Sequence, residues 1–276
     1  MFDLQKYIAQ IREAADFVRS LNAPAPRVGI ICGTGMGALA NKVADPTIVS
    51  YVRIPHFPLS TVESHHGNLV LGRLAGQPVM VMQGRFHFYE GYTMKQVTFP
   101  VRVMQELGVK ELIIMNAVGS MNPLIKRGSL VLVDDHINMM GDNPLLGTNH
   151  DGLGPRFPDM SCPYDKPMRA IAREVAMEAG IDLKEGVLVA VQGPNLETRA
   201  EYRMFKAMGA DIVSMSTVPE VLVAVHAGIR TIAISTVTDE CLPDCLEPAQ
   251  IDEIIKTACA AEGRLEKLIT GILSRM

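Results

Sequence analysis

The sequence has no stripe of positive charge. Its 26 Lys and Arg stand against 30 Asp and Glu, a formal net charge of -4, and the basic residues are scattered singly. Nothing resembles the run of cations that neutralises a nucleic-acid backbone, so no polynucleotide partner is expected. Apolar runs of membrane-spanning length are missing too. The first 21 residues mix Asp, Lys, Arg and Glu at helical spacing and lack the charged-then-apolar order of an export signal. The expectation is a soluble, cytoplasmic protein with no membrane partner. Cysteine is sparse: Cys32, Cys162, Cys241, Cys245 and Cys259 form an odd set without a CxxC pair, which suits reduced thiols better than a disulfide framework. Cys241 and Cys245 have only His226 near them in sequence, a poor metal clip, and no metal is expected. No Pro/Ser-rich linker, repeat or low-complexity block divides the chain.

What is present is a core-forming composition, 48% apolar and 20% charged over 276 residues, enough for one large α/β domain covering 1–276. Positions 4–21 carry apolar residues at helical spacing and stop before Pro24 and Pro26, which predicts an N-terminal helix. Aliphatic and β-branched runs predict strands at 28–32, 47–54, 69–71, 78–82, 111–115, 129–134, 186–191, 212–215 and 231–235. Helical patterns predict helices over 94–107, 166–179, 199–208, 218–227 and 251–274. The alternation argues for a largely parallel or mixed central sheet flanked by helices. The segment 138–164, with four Pro and four Gly and no periodic pattern, reads as an insertion over a site or a subunit contact.

Chemistry-bearing residues collect where strands end. Gly33-Thr34-Gly35-Met36-Gly37 follows the 28–32 strand, and its backbone N–H groups suit a small anion. A tight turn is the plainer alternative. A dinucleotide site wants an acidic residue at the end of the next strand, which here ends Val52-Arg53-Ile54-Pro55, and no Lys-Ser or Lys-Thr follows the glycines as in a Walker loop. Next, Arg85, His87, Tyr89 and Glu90 fall within six residues after another strand. Strand-like alternation would point Arg85, His87 and Tyr89 the same way, two anion donors and a phenol on one face; a solvated edge with an Arg–Glu pair is the alternative. Asn116-Ala117-Val118-Gly119-Ser120, Gly193-Pro194-Asn195-Leu196-Glu197-Thr198, Ser214-Met215-Ser216-Thr217 and Ser235-Thr236-Val237-Thr238-Asp239 each follow a predicted strand, at the end where α/β sheets bind ligands. For Ser216 and Thr217 an ordinary helix N-cap is the competing reading.

Taken in order, GTGMGAL, FPLSTVESHHG, GRFHFYEGY, VTFPVRV, NAVGSMNP, DHIN, NPLLG, PRFPDMS, GPNLETRAE and MSTVPEV resemble the trimeric, low-molecular-mass purine nucleoside phosphorylase family, which includes the methylthioadenosine phosphorylases. The likeness runs from about Val28 to the last helix. It implies a mixed, twisted and partly barrel-like sheet, a purine nucleoside and inorganic phosphate as substrates, no cofactor, and a homotrimer. It also implies phosphate held by Thr34, Arg85, His87, Ala117 and Ser216 with His65 close by, and ribose between Tyr89 and Met215. Val118, Leu196 and Glu197 would meet one edge of the base and Asp239 the other. Phe157 would reach the sugar pocket of a neighbouring subunit. Asp239 would protonate or hydrogen-bond purine N7, and Glu90 would fix the tautomer of His87.

Three departures lean toward 6-amino or 5′-modified nucleosides. Asp239 stands where the 6-oxopurine enzymes usually carry Asn, Thr34 where Ser is commoner, and the alignment of the last helix sets apolar Ile251 near the sugar 5′ position. Against them, Glu197 resembles the 6-oxopurine branch, where a carboxylate accepts N1–H of guanine or hypoxanthine. Inosine and guanosine are the expected substrates, with methylthioadenosine or adenosine as the alternative.

Overall fold

The computed structural model describes residues 2–61 and 66–276. Helix α1 (Leu4–Ser20) starts where the Asp3 side chain accepts Lys6 N–H at 3.0 Å, filling one of the donors a helix start leaves open. It buries Tyr7, Ile8, Ile11, Ala14, Ala15 and Val18, a stripe at helical spacing that packs on α3 (Phe99–Glu106). The predicted 94–107 helix is two pieces, α2 (Met94–Val97) and α3, broken at Thr98, whose backbone leaves helical geometry ahead of Pro100.

All nine predicted strands are present in one sheet: β1 (Val28–Ile31), β2 (Ala44–Ser50), β3 (Asn68–Leu74), β4 (Gln77–Gln83), β5 (Glu111–Ser120), β6 (Leu130–Asn138), β7 (Leu183–Ala190), β8 (Ile212–Ser214) and β9 (Arg230–Glu240). Their order is β2-β3-β4-β1-β5-β8-β7-β6-β9, and β9 pairs again with β5. Five strands therefore close on themselves while β1, β4, β3 and β2 continue as an open twisted sheet. The sheet is mixed: β1 lies parallel to β4 and β5, and β5 parallel to β9, whereas β3 is antiparallel to both its neighbours. The predicted 47–54 strand stops at Ser50 and turns into a short 3₁₀ segment, Tyr51–Arg53.

Two apolar layers hold the sheet, α1, α3 and α6 (Val218–His226) on one face and α4 (Lys166–Ala179) with α7 (Ile251–Leu273) on the other. Helix α4 starts on Asp165, which accepts Met168 N–H at 2.9 Å, and ends at Gly180 in the left-handed conformation. β1, β4, β5 and β9 run the same way, so their carboxyl ends open side by side. Among the described residues no helix is long and apolar enough to cross a membrane.

Candidate active site

The carboxyl ends of those strands enclose a cavity of about 160 Å³. Thr34 and Gly33 come from the end of β1, Arg85, His87 and Tyr89 from the segment after β4, and Asn116, Ala117 and Val118 from β5. Met215 and Ser216 follow β8, and Thr238 and Asp239 close β9. Leu196 and Glu197 reach in from the loop before α5 (Arg199–Ala207), Tyr202 from α5 itself, and Ile254 from α7. Of the residues expected at a site, all but four line this one cavity; Glu90 stands behind it, against His87. His65 lies outside the described residues. Phe157 projects from the surface, 86% exposed, with the Arg156 guanidinium over its ring. Ile251 is 62% exposed at the first turn of α7 and outside the wall; Ile254, three residues on and therefore on the same helix face, lines the cavity.

Local backbone sets the constellation. At Gly33 a Cβ would sit 2.8 Å from Met115 O and 2.9 Å from the Asn116 Cα, so only glycine lets the loop cross the end of β5 this closely. Ser216 is aimed by a three-residue turn: Thr217 has φ 77 and ψ -54, and Val218 N–H donates to Ser216 O at 2.9 Å. This γ-turn is rare and strained, at a cost of roughly 1–3 kcal/mol. The plainer N-cap reading fails here, because the Thr217 side chain makes no cap hydrogen bond. A bulge does the same for Asp239: Val118 faces Val237 but Gly119 faces Asp239, leaving Thr238 as the extra residue on β9.

His87 is in extended backbone, but the chain then tightens into the 3₁₀ turn Phe88–Glu90, so strand alternation does not extend to Tyr89. Tyr89 instead stacks on His87, ring centroids 4.7 Å apart and planes 14° off parallel. Arg85 is buried and its ion partner is Glu220, on α6, with Nη1 to Oε1 at 3.2 Å; Nη1 also donates to Thr217 Oγ1 at 3.3 Å and Nη2 to Met115 O. The expected alternative of an exposed Arg–Glu edge is thereby overturned. Burial weakens the guanidinium's hold on its proton, and Glu220 opposes that; arginine stays cationic regardless.

Glu90 serves His87. Its Oε1 accepts the His87 backbone N–H at 2.7 Å and lies 3.0 Å from Nδ1, while Oε2 accepts Thr61 N–H at 2.8 Å and Thr61 Oγ1–H at 2.6 Å. Burial pushes the carboxyl up, but the hydrogen bonds from His87 and Thr61 outweigh it and bring it down to about 2. A permanent carboxylate beside Nδ1 fixes which ring nitrogen is left for a ligand. Burial and then Glu90 push the Tyr89 phenol up to about 12, so it stays neutral. Deeper in the wall, Asn116 Nδ2 donates to Ser214 Oγ at 3.1 Å, and Ser214 Oγ lies 3.2 Å from Ser216 Oγ.

At the opposite end two carboxylates face one space. Asp239 Oδ1 accepts Thr238 Oγ1–H at 2.8 Å and Oδ2 accepts the Cys241 thiol at 2.9 Å. Glu197 is raised above the ordinary carboxylate range, first by burial and also by the negative charge of Asp239, against a lowering hydrogen bond from Tyr202. Sequence reasoning missed Tyr202, Cys241 and Ile254. Cys241 was within reach: two residues past Asp239 in extended chain it shares that residue's side. Tyr202 carries no such signal, since an aromatic on an amphipathic helix reads as core.

A closed barrel extended by an open sheet, with one cavity holding a cationic, hydroxyl-bearing end and an acidic end, defines a class. Residues 27–274 match the phosphorylase superfamily, and the chain belongs to it. Within that superfamily it groups with the purine nucleoside phosphorylases. It is 46% identical to "Purine nucleoside phosphorylase 1" of Bacillus subtilis, covering 96% of this chain and 98% of that protein. It is 43% identical to "Purine nucleoside phosphorylase" of Rattus norvegicus over 95% and 93% of the two chains. A Schistosoma mansoni purine nucleoside phosphorylase solved with adenosine superposes with a TM-score of 0.92 at 40% identity, covering 98% of each chain. A schistosome enzyme solved with hypoxanthine superposes equally well, TM-score 0.92 at 39% identity and 98% coverage of each.

Proposed function

We propose that this chain catalyses the reversible phosphorolysis of purine ribonucleosides and 2′-deoxyribonucleosides to free base and pentose 1-phosphate, with inosine and guanosine favoured. The observation that carries the reading is the convergence on one cavity of Thr34, Arg85, His87 and Ser216 at one end and Glu197 with Asp239 at the other. Phosphate at the first end is a co-substrate, and no cofactor enters the reaction. Ala117 offers its backbone to the same anion. With Nδ1–H committed to Glu90, the His87 ring meets phosphate through Nε2, as donor when protonated and as acceptor of a phosphate hydroxyl when neutral.

The ribose lies between Tyr89 and Met215. As the C1′–N9 bond lengthens, its electron pair leaves with the purine and positive charge spreads over the sugar. Phosphate anion below C1′ stabilises that charge and then forms the new C–O bond. Asp239 stabilises the departing base at N7, by donating a hydrogen bond or a proton. Val118 and Leu196 meet the base on the edge opposite Asp239, and ionised Glu197 accepts N1–H of a 6-oxopurine. Phe157, exposed in the single chain, suits the sugar pocket of an adjoining subunit in a homotrimer. A cytoplasmic enzyme of purine salvage is the setting this chemistry fits.

A second reading, cleavage of methylthioadenosine, draws support from apolar Ile254 in the cavity wall. Phosphate-dependent turnover of inosine, guanosine, adenosine and methylthioadenosine separates the two. The expected order puts inosine and guanosine first; fast methylthioadenosine cleavage with undetectable inosine cleavage would reverse the assignment.

A further inference from the structure

The glycine turn that carries Thr34 lies beyond the sheet and is held by a helix from the far end of the sequence. β1 ends at Ile31, and the turn closes where Met36 N–H donates to Gly33 O at 3.1 Å. Thr34 stands at its second position. Gly35 stands at its third with φ 71, a left-handed conformation that favours glycine. The chain then enters the 3₁₀ segment Gly37–Lys42, whose N-terminal flank, Met36, offers no side-chain hydrogen bond. The first amides of a helical segment have no partner within it. Here α7 supplies one: Glu262 Oε1 accepts Ala38 N–H at 2.7 Å, across 224 positions of sequence.

The same helix meets the turn itself. A Cβ on Gly35 would sit 2.7 Å from the Ala258 Cβ and 3.3 Å from Cys259 N, so the turn rests directly on α7. Ala258 is fully buried, and Met36, Leu39 and Ala40 share one apolar cluster with Ala261 and Leu265. One helical turn past Glu262, Glu266 pairs with Lys42 at 3.4 Å. Ile254, Ala258, Glu262 and Glu266 recur every four residues and form one row along the helix. Ile254 lines the cavity, and the rest of the row follows the glycine turn and the segment after it. A further tie comes from β4, where Gln83 Nε2 donates to Gly37 O at 3.1 Å. A carboxylate is an odd neighbour for an anion-binding turn unless it serves the backbone. Glu262 acts as an acceptor, a role that the neutral amide of Gln can also fill.

We propose that Glu262 and Ala258 are positioning residues for phosphate: through the Ala38 amide and Gly35 they fix the turn so that Thr34 stands at the cationic end of the cavity. This rests on the phosphorolysis reading above.

The test is the KM for phosphate beside the KM for inosine, together with the phosphate concentration that half-saturates the rise in melting temperature. Glu262→Ala should raise both phosphate values roughly tenfold and leave the inosine KM within about twofold of wild type, the scale of one hydrogen bond to a charged group. Glu262→Gln, which keeps an acceptor, should return the phosphate values to within about twofold of wild type. Ala258→Val leaves the Glu262 bond in place but crowds Gly35, and should raise the phosphate values in the same way. Phosphate values that stay put while melting falls, that rise in step with the inosine KM, or that Gln does not restore overturn the proposal. Should Glu262→Ala fail to fold, unmoved phosphate values in Ala258→Val overturn it alone. A wild type that phosphate stabilises but that releases no base overturns the phosphorolysis reading instead, and the melting titration still decides the role of Glu262.

Discussion

Arg85 shows how a buried cation is held in the cavity wall. A guanidinium only 1% exposed is stable because Glu220 stands 3.2 Å away and Met115 and Thr217 accept two further hydrogens. Removing one partner of a buried ion pair strands the other, which costs about 3–5 kcal/mol. Arg85→Ala should therefore melt early as well as bind phosphate weakly, and the single variant confounds the two effects. The double variant Arg85→Ala, Glu220→Gln separates them. Thermal melting should recover most of the lost stability while the KM for phosphate stays raised; recovery of both would remove Arg85 from the phosphate site.

Among the elements, the 3₁₀ turn Phe88–Glu90 does most to shape the cationic end, because Glu90 ties it both to His87 and to Thr61. Its carboxyl titrates at about 2 in the fold against an ordinary 4.5. A depressed carboxyl contributes stability that is fully present above the unfolded value and is lost as pH falls through the folded one. The urea-unfolding free energies of wild type and Glu90→Gln should thus differ at neutral pH and converge as pH falls from 4.5 toward 2. A constant gap would mean that Glu90 acts through shape alone.

Elements were legible in the sequence wherever packing and periodicity agree. α4 spans the predicted residues, and every predicted strand exists. Strand ends were not. β5 runs through Asn116, Ala117, Val118, Gly119 and Ser120, all but Val118 residues of weak strand preference; pairing with β9 and β8 imposes it. β9 likewise reaches Glu240, and its bulge at Thr238 leaves no mark in the residue pattern. Of the site residues that short motifs carry, Thr34, Arg85, His87, Ala117, Ser216 and Glu197 line one cavity, whereas Phe157 stands apart on the surface. Ile251, assigned across a loop, lies outside the cavity wall while Ile254 lies in it, because one turn of helix looks like the next from sequence.

For the whole molecule, the segment after β6 is braced on the body by Lys95 and Arg102, which donate to Pro144 O at 2.8 Å and Leu153 O at 3.0 Å, yet it leaves Phe157 outside. A large exposed aromatic on a braced loop suits a partner surface. If Phe157 completes a neighbouring site, subunits carrying Phe157→Ala and subunits carrying Asp239→Ala should complement each other. After mixed refolding, activity should exceed the sum of the two preparations. Strictly additive activity would confine each site to one chain.

The central claim is that phosphate, not water, takes the sugar. Inosine should release hypoxanthine only when phosphate is supplied, with one ribose 1-phosphate formed per base. Base released at the same rate without phosphate, accompanied by free ribose, would contradict it.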